Sequence, residues 1–317
     1  TYYYSIYAFN GSGNTSNYLT STPLQGFQAM YELEPVSNPT NLAFASVSTS
    51  SFTGSFTGTN PSSAGYLVLR KVGSTPTSIP ADGTTYAVGS TFGDATIIAN
   101  GLSSNFSQTG LVANTFYHYS IYAYNGSGVY INYKQTSPLI GAQTTFATEP
   151  TAQPSSLTFS NLSSTGYTLS FNLASGTPSG YIAFRRKDSA PSFLPQDGQA
   201  YTVGVSVGDA VVSYIGSASS FTDNSLDAGS VYHYAIYAYN GTGPSINYRT
   251  TAPLTGNRVT LAPEPSTQAN GMVFSNVQTS TASLSFTAAN PVPDGYLGVR
   301  RTGLAPTGSP VDGITYS

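Results

Sequence analysis

The strongest constraint on the fold is an internal repeat with a period of 115 residues. A repeat this long is one whole domain, whereas solenoid units are typically about 20–50 residues. The landmarks keep their spacing without insertion or deletion, so successive copies share one order of elements. The landmarks are Glu34-Pro35, Glu149-Pro150 and Glu264-Pro265; Gly65-Tyr66, Gly180-Tyr181 and Gly295-Tyr296; Asp82-Gly83, Asp197-Gly198 and Asp312-Gly313; and Ile6, Ile121 and Ile236.

The phase of the repeat divides the 317-residue chain into four parts. With a repeat starting at each Glu-Pro pair, residues 34–148 and 149–263 are complete β-sandwich repeats. Residues 1–33 are then the C-terminal part of a repeat, and residues 264–317 are the N-terminal part of a further repeat. Because half a sandwich leaves strand edges exposed, we interpret the chain as a window on a longer tandem array. The open alternative is that the two partial repeats complement each other between molecules, head to tail.

Within the repeat, short apolar segments alternate with turn signals. Short strands separated by turns are typical of antiparallel sandwiches, and no segment has a helical period. The sequence therefore predicts an all-β fold of tandem antiparallel β-sandwich modules, with Asp82-Gly83 as a type I′ hairpin turn. Strands are predicted at residues 40–47, 51–57, 65–72, 84–89, 95–100, 105–111, 115–124 and 140–147.

The segment LVANTFYHYSIYAYNGSG carries a more specific pattern, in the spacing of Leu111, Thr115 and Tyr117. This spacing resembles strand F of fibronectin type III domains, and the resemblance implies a tyrosine corner at Tyr2, Tyr117 and Tyr232. The motifs P-x-D-G-x-x-Y and Y-x-Y-N-G-x-G also resemble repeats of large secreted surface proteins of gliding and polymer-degrading bacteria. That resemblance implies export and display at the bacterial cell surface, with type IX secretion as a candidate route.

Aromatic residues occupy both faces of this tyrosine strand, although one face of a sandwich sheet is normally in water. Bulky Leu67 and Leu69 in the neighbouring strand are expected to point into the core, so the alternate residues, including Val68, are expected outward. Recurrent arginines are expected to stack on the outward rings. Two roles stay open for this outward strip: cross-strand packing, or binding of a polysaccharide or a neighbouring module. The candidate ligand-binding residues are Tyr66, Arg70, Tyr122 and Tyr124, with Tyr181, Arg185, Tyr237 and Tyr239 in the second repeat.

Composition limits the classes of function. Charged residues make up 7% of the chain, against about 25% in an average soluble protein. The net charge of −3 includes no basic block, so nucleic-acid binding is not expected. No run of about 18 apolar residues is present, so no membrane insertion is expected. The absence of Cys excludes disulfides, thiolate metal sites and a Cys nucleophile.

Residues suited to catalysis do not form a recognisable set. His118 and His233 are replaced by Tyr3 in the first copy, which is untypical of a catalytic or metal-binding histidine. The recurrent Asp residues lie in turns, and each repeat offers fewer acids than a calcium site needs. We therefore predict no catalytic residues, no metal site and no cofactor, and a protein that is not an enzyme.

The sequence predicts a structural stalk or filament segment of a large, adhesin-like protein, extracellular or at the bacterial cell surface, in which tandem modules give reach. The expected partners are neighbouring repeats of the same chain, and like chains in a bundle or an extracellular glycan are further candidates. The alternative function is a set of carbohydrate-binding modules that use the outward tyrosines. A non-catalytic part of a secreted polymer-degrading enzyme is the third interpretation.

Overall fold

The computed structural model describes residues 1–316 as an all-β chain of antiparallel sheets, which confirms the predicted fold class. Its contacts divide the chain into two compact units. The first unit comprises residues 1–148, 197–200 and 241–247, and the second comprises residues 149–196, 201–240 and the described residues from 248 onward. The change of unit after residue 148 falls at the start of a sequence repeat. The division into four parts by repeats stays a prediction.

The strands recur with the period of the sequence, and a short 3₁₀ turn follows the tyrosine strand at Gly13–Thr15, Gly128–Tyr130 and Gly243–Ser245. Residues 1–33 contain β1 (Tyr2–Ile6), β2 (Phe9–Asn10), β3 (Asn17–Tyr18) and β4 (Leu24–Gln28). Repeat 34–148 contains β5 (Thr40–Ala45), β6 (Phe52–Thr57), β7 (Gly65–Val72), β8 (Thr91–Phe92), β9 (Ala95–Gly101), β10 (Asn105–Gln108), β11 (Phe116–Asn125), β12 (Asn132–Tyr133) and β13 (Leu139–Thr144). Repeat 149–263 contains β14 (Ser155–Ser160), β15 (Tyr167–Asn172), β16 (Gly180–Lys187), β17 (Ser206–Val207), β18 (Ala210–Gly216), β19 (Ser220–Asp223), β20 (Val231–Asn240), β21 (Asn247–Tyr248) and β22 (Leu254–Val259), and the last partial repeat contains β23 (Asn270–Ser275) and β24 (Ser283–Thr287).

Repeat 34–148 is a sandwich of two sheets. The smaller sheet has the strand order β10–β6–β5, and in the larger sheet β11 pairs with β7, β12 and β13. Residues in β6 alternate strictly between buried and exposed, with Phe52 and Phe56 inward, as expected for a sheet with one face in water. These rings meet Tyr119 and Ile121 of β11 in the core between the sheets. Repeat 149–263 has the same strand order.

The register between β7 and β11 decides which side chains share a face. Val68 lies opposite Ile121, and Tyr66 lies opposite Ala123. Because directly opposed residues point to the same side of a sheet, Tyr66 and Val68 join the sandwich core. The expectation that Tyr66, Val68 and Arg70 face outward is therefore wrong. A change of one residue in the assumed register reverses every side chain of a strand.

Leu67 and Leu69 point to the opposite face of the larger sheet, where a second core lies. A long connection between β7 and β9, residues 73–94, packs over this face, and we call it the cover segment. Both faces of β11 are therefore buried, one against the smaller sheet and one under the cover segment, which explains its two rows of aromatic residues. The second core contains Leu67, Leu69, Ala95, Ile97, Tyr122, Ile131 and Tyr133, with Tyr86, Phe92 and Tyr124 packed against it.

The cover segment also corrects one predicted strand. Residues 84–89 do not form a strand, and only Thr91–Phe92 of the segment pairs with β9. Side chains of the sheet hold its backbone as well: Asn100 donates to the Tyr86 carbonyl at 2.8 Å, and the Tyr133 hydroxyl donates to the Thr84 carbonyl at 2.9 Å. The segment reaches the edge strand β9 only at its end, where the Gly89 amide donates to the Ile97 carbonyl at 2.8 Å, while Tyr86 packs on the sheet face.

The partial repeats show what the missing half of a sandwich contributes to burial. In residues 1–33, β1 pairs with β4 and β2 with β3, and β23 pairs with β24 in the last partial repeat. Tyr4 is 58% exposed, whereas Tyr119 at the equivalent position of the complete repeat is 0% exposed. The same local sequence thus forms the same strand pair, but its side chains are buried only when the opposing sheet is present.

Candidate functional site

The residues predicted to bind a ligand do not form an exposed strip. Tyr66 is 6% exposed, Tyr122 3%, and Tyr181 and Tyr237 2% each. With so little of each ring accessible, these tyrosines offer no flat face to a sugar. For Tyr66 and Tyr181 the predicted outward orientation is wrong, because they point into the sandwich core. Tyr122 and Tyr237 do lie on the outer face of the larger sheet, but they are buried there rather than exposed. The remaining members of the set are half-buried: Arg70, Tyr124, Arg185 and Tyr239.

Tyr66 and its counterparts have a structural role that recurs. The Tyr66 hydroxyl accepts a hydrogen bond from the Thr59 amide at 3.0 Å. Tyr181 accepts from the Ala174 amide at 2.8 Å, and Tyr296 accepts from the Ala289 amide at 2.7 Å. Tyr66 and Tyr181 are therefore inward anchors that fix the loop preceding their own strand, and a buried tyrosine hydroxyl finds its partner in this way, whereas Tyr296 makes the same bond while 42% exposed.

Tyr122 anchors the cover segment. Its hydroxyl donates to the Ser78 carbonyl at 3.2 Å, and burial raises the pKa of Tyr122, with a smaller contribution from Asp94. In the second repeat, Phe184 makes edge contacts with Phe193 and Tyr201 at ring-centroid distances of 5.2 and 5.9 Å. The second core is thus aromatic in both complete repeats.

Tyr117 and Tyr232 have the geometry of a tyrosine corner. The Tyr117 hydroxyl accepts from the Val112 amide at 2.9 Å, and the Tyr232 hydroxyl accepts from the Asp227 amide at 3.0 Å. Both bonds reach back five residues along the chain, as the corner requires. Tyr2 is exposed, and the position that corresponds to Val112 precedes residue 1.

The arginines stack on these corner tyrosines and not on outward rings. The Arg70 guanidinium lies 5.4 Å from the Tyr117 ring centroid, and Arg185 lies 5.5 Å from that of Tyr232. Arg70 Nη1 also donates to Gln108 Oε1 at 2.6 Å. The expected cation–π contact therefore exists, but it lies on the opposite face of the sheet from the one predicted.

In the second repeat, Asp223 occupies the place of Gln108 and forms an ion pair with Arg185. Tyr234 donates to Asp223 Oδ2 at 2.7 Å, and the hydroxyls of Tyr234 and Tyr167 lie 3.2 Å apart. Burial raises the pKa of Asp223, while the hydrogen bonds from Tyr234 and Arg185 oppose that rise. In the first repeat, the buried Tyr119 hydroxyl has no hydrogen-bond partner among residues 1–316.

The Asp94 carboxylate links the cover segment to β7. Asp94 accepts hydrogen bonds from Lys71 Nζ at 2.8 Å, from Thr77 Oγ1 at 2.8 Å and from Ser78 Oγ at 2.7 Å. Lys71 and these hydroxyls hold the pKa of Asp94 well below its ordinary value. Residues 1–316 contain no group of three or more His, Cys, Asp or Glu residues suited to a metal ion.

The Asp-Gly turn is organised by the tyrosine of the P-x-D-G-x-x-Y motif. The Tyr86 hydroxyl accepts from the Ala81 amide at 2.9 Å, and Asp82 Oδ1 accepts from the Tyr133 amide at 2.8 Å. Gly83 has a φ of +74°, but Asp82 does not have the positive φ that a type I′ turn requires. The predicted type I′ hairpin is therefore wrong, because the turn lies inside the cover segment rather than between paired strands.

The linker that opens each complete repeat is held to its own sheet. Glu34 pairs with Lys134 at 2.7 Å. Asn38 joins β11 to the segment that follows β12, because its Oδ1 accepts from the Ala123 amide at 2.8 Å and its Nδ2 donates to the Lys134 carbonyl at 3.1 Å. In repeat 149–263 the same positions are filled by Glu149 with Arg249 at 3.2 Å, and by Gln153 with the Ala238 amide at 2.8 Å and the Arg249 carbonyl at 2.5 Å.

No helix in residues 1–316 has the length and apolar character needed to cross a membrane.

No protein-family model matches the chain, and no curated protein matches it. Among solved structures, the chain is similar to a segment of two fibronectin type III domains from chicken tenascin, with a TM-score of 0.29 and 17% identity over 71% of this chain and 100% of that chain. It is also similar to the FN1–FN3 domains of chicken CNTN1, with a TM-score of 0.38 and 15% identity over 75% of this chain and 71% of that chain. A computationally redesigned β-sandwich protein gives a TM-score of 0.26 and 18% identity over 36% of this chain and 98% of that chain.

Proposed function

We propose that the chain is a structural segment of a large extracellular protein displayed at a bacterial cell surface, with tandem sandwich modules that hold an adhesive or other terminal domain at a distance. The observation that carries this proposal is the recurring attachment of the linker at the start of each complete repeat. Glu34 and Asn38 in one repeat, and Glu149 and Gln153 in the next, bind the same elements of their own sheets.

Such attachment matters for reach because a free linker behaves as a flexible chain, whereas an attached linker acts as a spacer of fixed direction. A side-chain amide that bonds one backbone group on the tyrosine strand and another just after the next short strand fixes both position and direction, and it does so in each complete repeat. The tyrosine strands β11 and β20 have 10 residues each, which corresponds to about 30 Å of length per module. Adding repeats then adds length in proportion.

The placement outside the cell is supported by composition. Only 7% of the residues are charged, so Ser, Thr, Asn and Gly must supply most of the polar surface. Each complete repeat also buries the tyrosines on both faces of its long strand, so tandem copies can follow one another without an exposed strip of these rings that promotes aggregation; the buried rings are Tyr117, Tyr119 and Tyr122, and Tyr232, Tyr234 and Tyr237. Neighbouring repeats of the same chain are the partners that this proposal requires.

Small-angle X-ray scattering on residues 34–263 tests the proposal. We expect a pair-distance distribution with a second maximum and a longest dimension about twice that of one repeat, since each module adds about 30 Å. A matched control inserts six Gly/Ser residues between Thr148 and Glu149, which releases the linker and broadens the distribution. A single compact maximum for the unmodified fragment would refute the proposal.

A further inference from the structure

One contact recurs at a constant spacing that the sequence motifs alone do not explain. The residue three positions before each Glu-Pro pair lies next to the glycine of an Asp-Gly turn 52 positions further on. A Cβ atom placed on Gly83 would lie 3.0 Å from Tyr31 Cε1, and one on Gly198 would lie 3.0 Å from Phe146 Cε1. On Gly313 it would lie 3.9 Å from Leu261 Cδ2.

Each of these pairs lies inside a single compact unit. Tyr31 with Gly83 and Phe146 with Gly198 belong to the first unit, and Leu261 with Gly313 belongs to the second. The side chain that meets the glycine is always apolar or aromatic, but its type changes from Tyr to Phe to Leu. The glycine therefore leaves room for a large side chain, and tyrosine, phenylalanine and leucine all fit next to it.

The Asp-Gly turn is held by backbone hydrogen bonds within its own repeat. The Gly83 amide donates to the Ile131 carbonyl at 2.9 Å, and the Gly198 amide donates to the Ile246 carbonyl at 2.8 Å. With φ values of +74° at both positions, a side chain there is strained as well as obstructed. Glycine is thus required both by the turn and by the residue that packs on it.

The backbone next to the packed residue is bound as well. The Glu32 amide donates to the Tyr130 carbonyl at 2.9 Å, and Asn132 Nδ2 donates to the Glu32 carbonyl at 2.7 Å. Asn125 Nδ2 donates to the Leu33 carbonyl at 2.8 Å. Three hydrogen bonds to the backbone of two consecutive residues fix the path of the chain, and the Glu32 side chain lies against Gly126.

The same binding recurs one period later, again inside the first unit. The Ala147 amide donates to the Ser245 carbonyl at 2.8 Å, and Asn247 Nδ2 donates to the Ala147 carbonyl at 2.7 Å. Glu32 and Ala147 have unlike side chains, which agrees with recognition through the backbone.

We propose that the Asp-Gly turn of the cover segment and the adjoining 3₁₀ turn form a docking site for the tail of the preceding repeat, defined as residues 31–33 and their equivalents. This inference rests on the proposed function, since it names the partner that each repeat binds in a tandem array. The partner is an extended segment with one apolar or aromatic side chain followed by two residues bound through their backbone. The cover segment then has two tasks: it closes the second core and it presents the docking site.

Hydrogen exchange of the whole chain tests the site, with mass spectrometry of peptides that contain the Glu32 and Ala147 amides. In Asn132→Ala, the Glu32 carbonyl loses its donor, and we expect exchange at the Glu32 amide to rise by about tenfold with no change at Ala147. Asn247→Ala is the matched variant and is expected to reverse this pattern. Peptides from β6 and β11 report whether either variant disturbs the sandwich itself.

The side-chain part of the site is tested at residue 31. Tyr31→Phe introduces the residue found at the equivalent position 146, so exchange at Glu32 is expected to stay as in the unmodified chain. Tyr31→Ser removes the ring and is expected to raise that exchange severalfold. Equal exchange at Glu32 in Asn132→Ala, Tyr31→Ser and the unmodified chain would overturn the docking site.

The two proposals fail in different experiments. An extended scattering profile with unaffected exchange removes the docking site and leaves the structural role of the array. A compact profile with the expected rise in exchange keeps the docking site and removes the array as a device for reach.

Discussion

The two complete repeats share a fold but fill the same place in the sandwich core with different chemistry. Arg70 in repeat 34–148 meets the neutral side chain of Gln108, whereas Arg185 in repeat 149–263 meets the carboxylate of Asp223. Phe52 in the first repeat is replaced by Tyr167 in the second, where its hydroxyl lies within hydrogen-bonding distance of that of Tyr234. A pair with one charged member in the first repeat thus corresponds to a charge-balanced network one period along the chain.

The difference shows two ways to bury part of a guanidinium. In the second repeat the charge is balanced and the surrounding hydroxyls are satisfied, which makes each member depend on the others. In the first repeat no second charge is buried, but the Tyr119 hydroxyl stays without a partner among residues 1–316. The two cores are therefore expected to respond differently to the same substitution.

The largest effect is expected from Asp223→Ala. This change leaves the Arg185 guanidinium and the Tyr234 hydroxyl without their partner in a site where Asp223 is buried, so repeat 149–263 should lose about 3 kcal/mol of its free energy of unfolding. Native-state hydrogen exchange of the β20 amides measures that loss. Gln108→Ala is the matched change in the first repeat and should cost about 1–2 kcal/mol. Equal losses of unfolding free energy in Asp223→Ala and Gln108→Ala would contradict the expected difference between the two cores.

The second comparison concerns equivalent tyrosines. Tyr234→Phe removes a donor to Asp223 and should destabilise repeat 149–263 by about 1.5 kcal/mol, because the acceptor is charged. Tyr119→Phe removes a buried hydroxyl that has no partner, so repeat 34–148 should keep its stability or gain up to about 1 kcal/mol. Urea unfolding of each variant, followed by exchange in β11 and β20, gives the two values. A loss of stability in Tyr119→Phe would indicate that the hydroxyl is satisfied after all.

The two complete repeats share an aspartate whose pKa is depressed, Asp94 in one and Asp209 in the other. The pKa of Asp94 is depressed chiefly by Lys71, and that of Asp209 chiefly by the backbone and hydroxyl of Ser192, from an ordinary value of 3.8. Because the folded-state pKa lies below the unfolded one, the stabilisation is complete above about pH 4 and is lost as the pH falls further. Amide chemical shifts of Thr77 and Ser192 should therefore move in the same way as the pH is lowered below about 4. A pH-dependent shift at only one of the Thr77 and Ser192 amides would contradict this shared pH dependence.

The smallest effects are expected at the exposed ion pairs of the linkers. Glu34→Gln should cost about 0.5 kcal/mol, since Lys134 then loses its partner at a surface position. Glu149→Gln should cost less, because Arg249 Nη1 also donates to the Pro150 carbonyl at 3.1 Å. The midpoint of urea unfolding at low salt measures both changes. At high salt both differences should shrink, since exposed charges are screened.

The strands were accessible from local pattern, and the corner tyrosines from the resemblance to strand F of fibronectin type III domains. Alternation places Phe52 and Phe56 on one face, and a tyrosine two residues after the threonine predicts the reach of Tyr117 to the backbone. The docking site left only a faint signal, the constant spacing between Tyr31, Phe146 or Leu261 and the glycine of an Asp-Gly turn. This spacing can be read from the sequence, but no local pattern indicates that residues 52 positions apart are in contact.

The repeat, its strands and the alternation of side chains between the two faces of each strand can be read from the amino-acid sequence alone. Alternation is a local property of extended backbone, so it survives even in the partial repeats. Which face is inward was decided only by the tertiary structure, through the register that places Val68 opposite Ile121. Both faces of β11 are buried, because the cover segment, which is distant from β11 in sequence, packs on its second face and buries Tyr122.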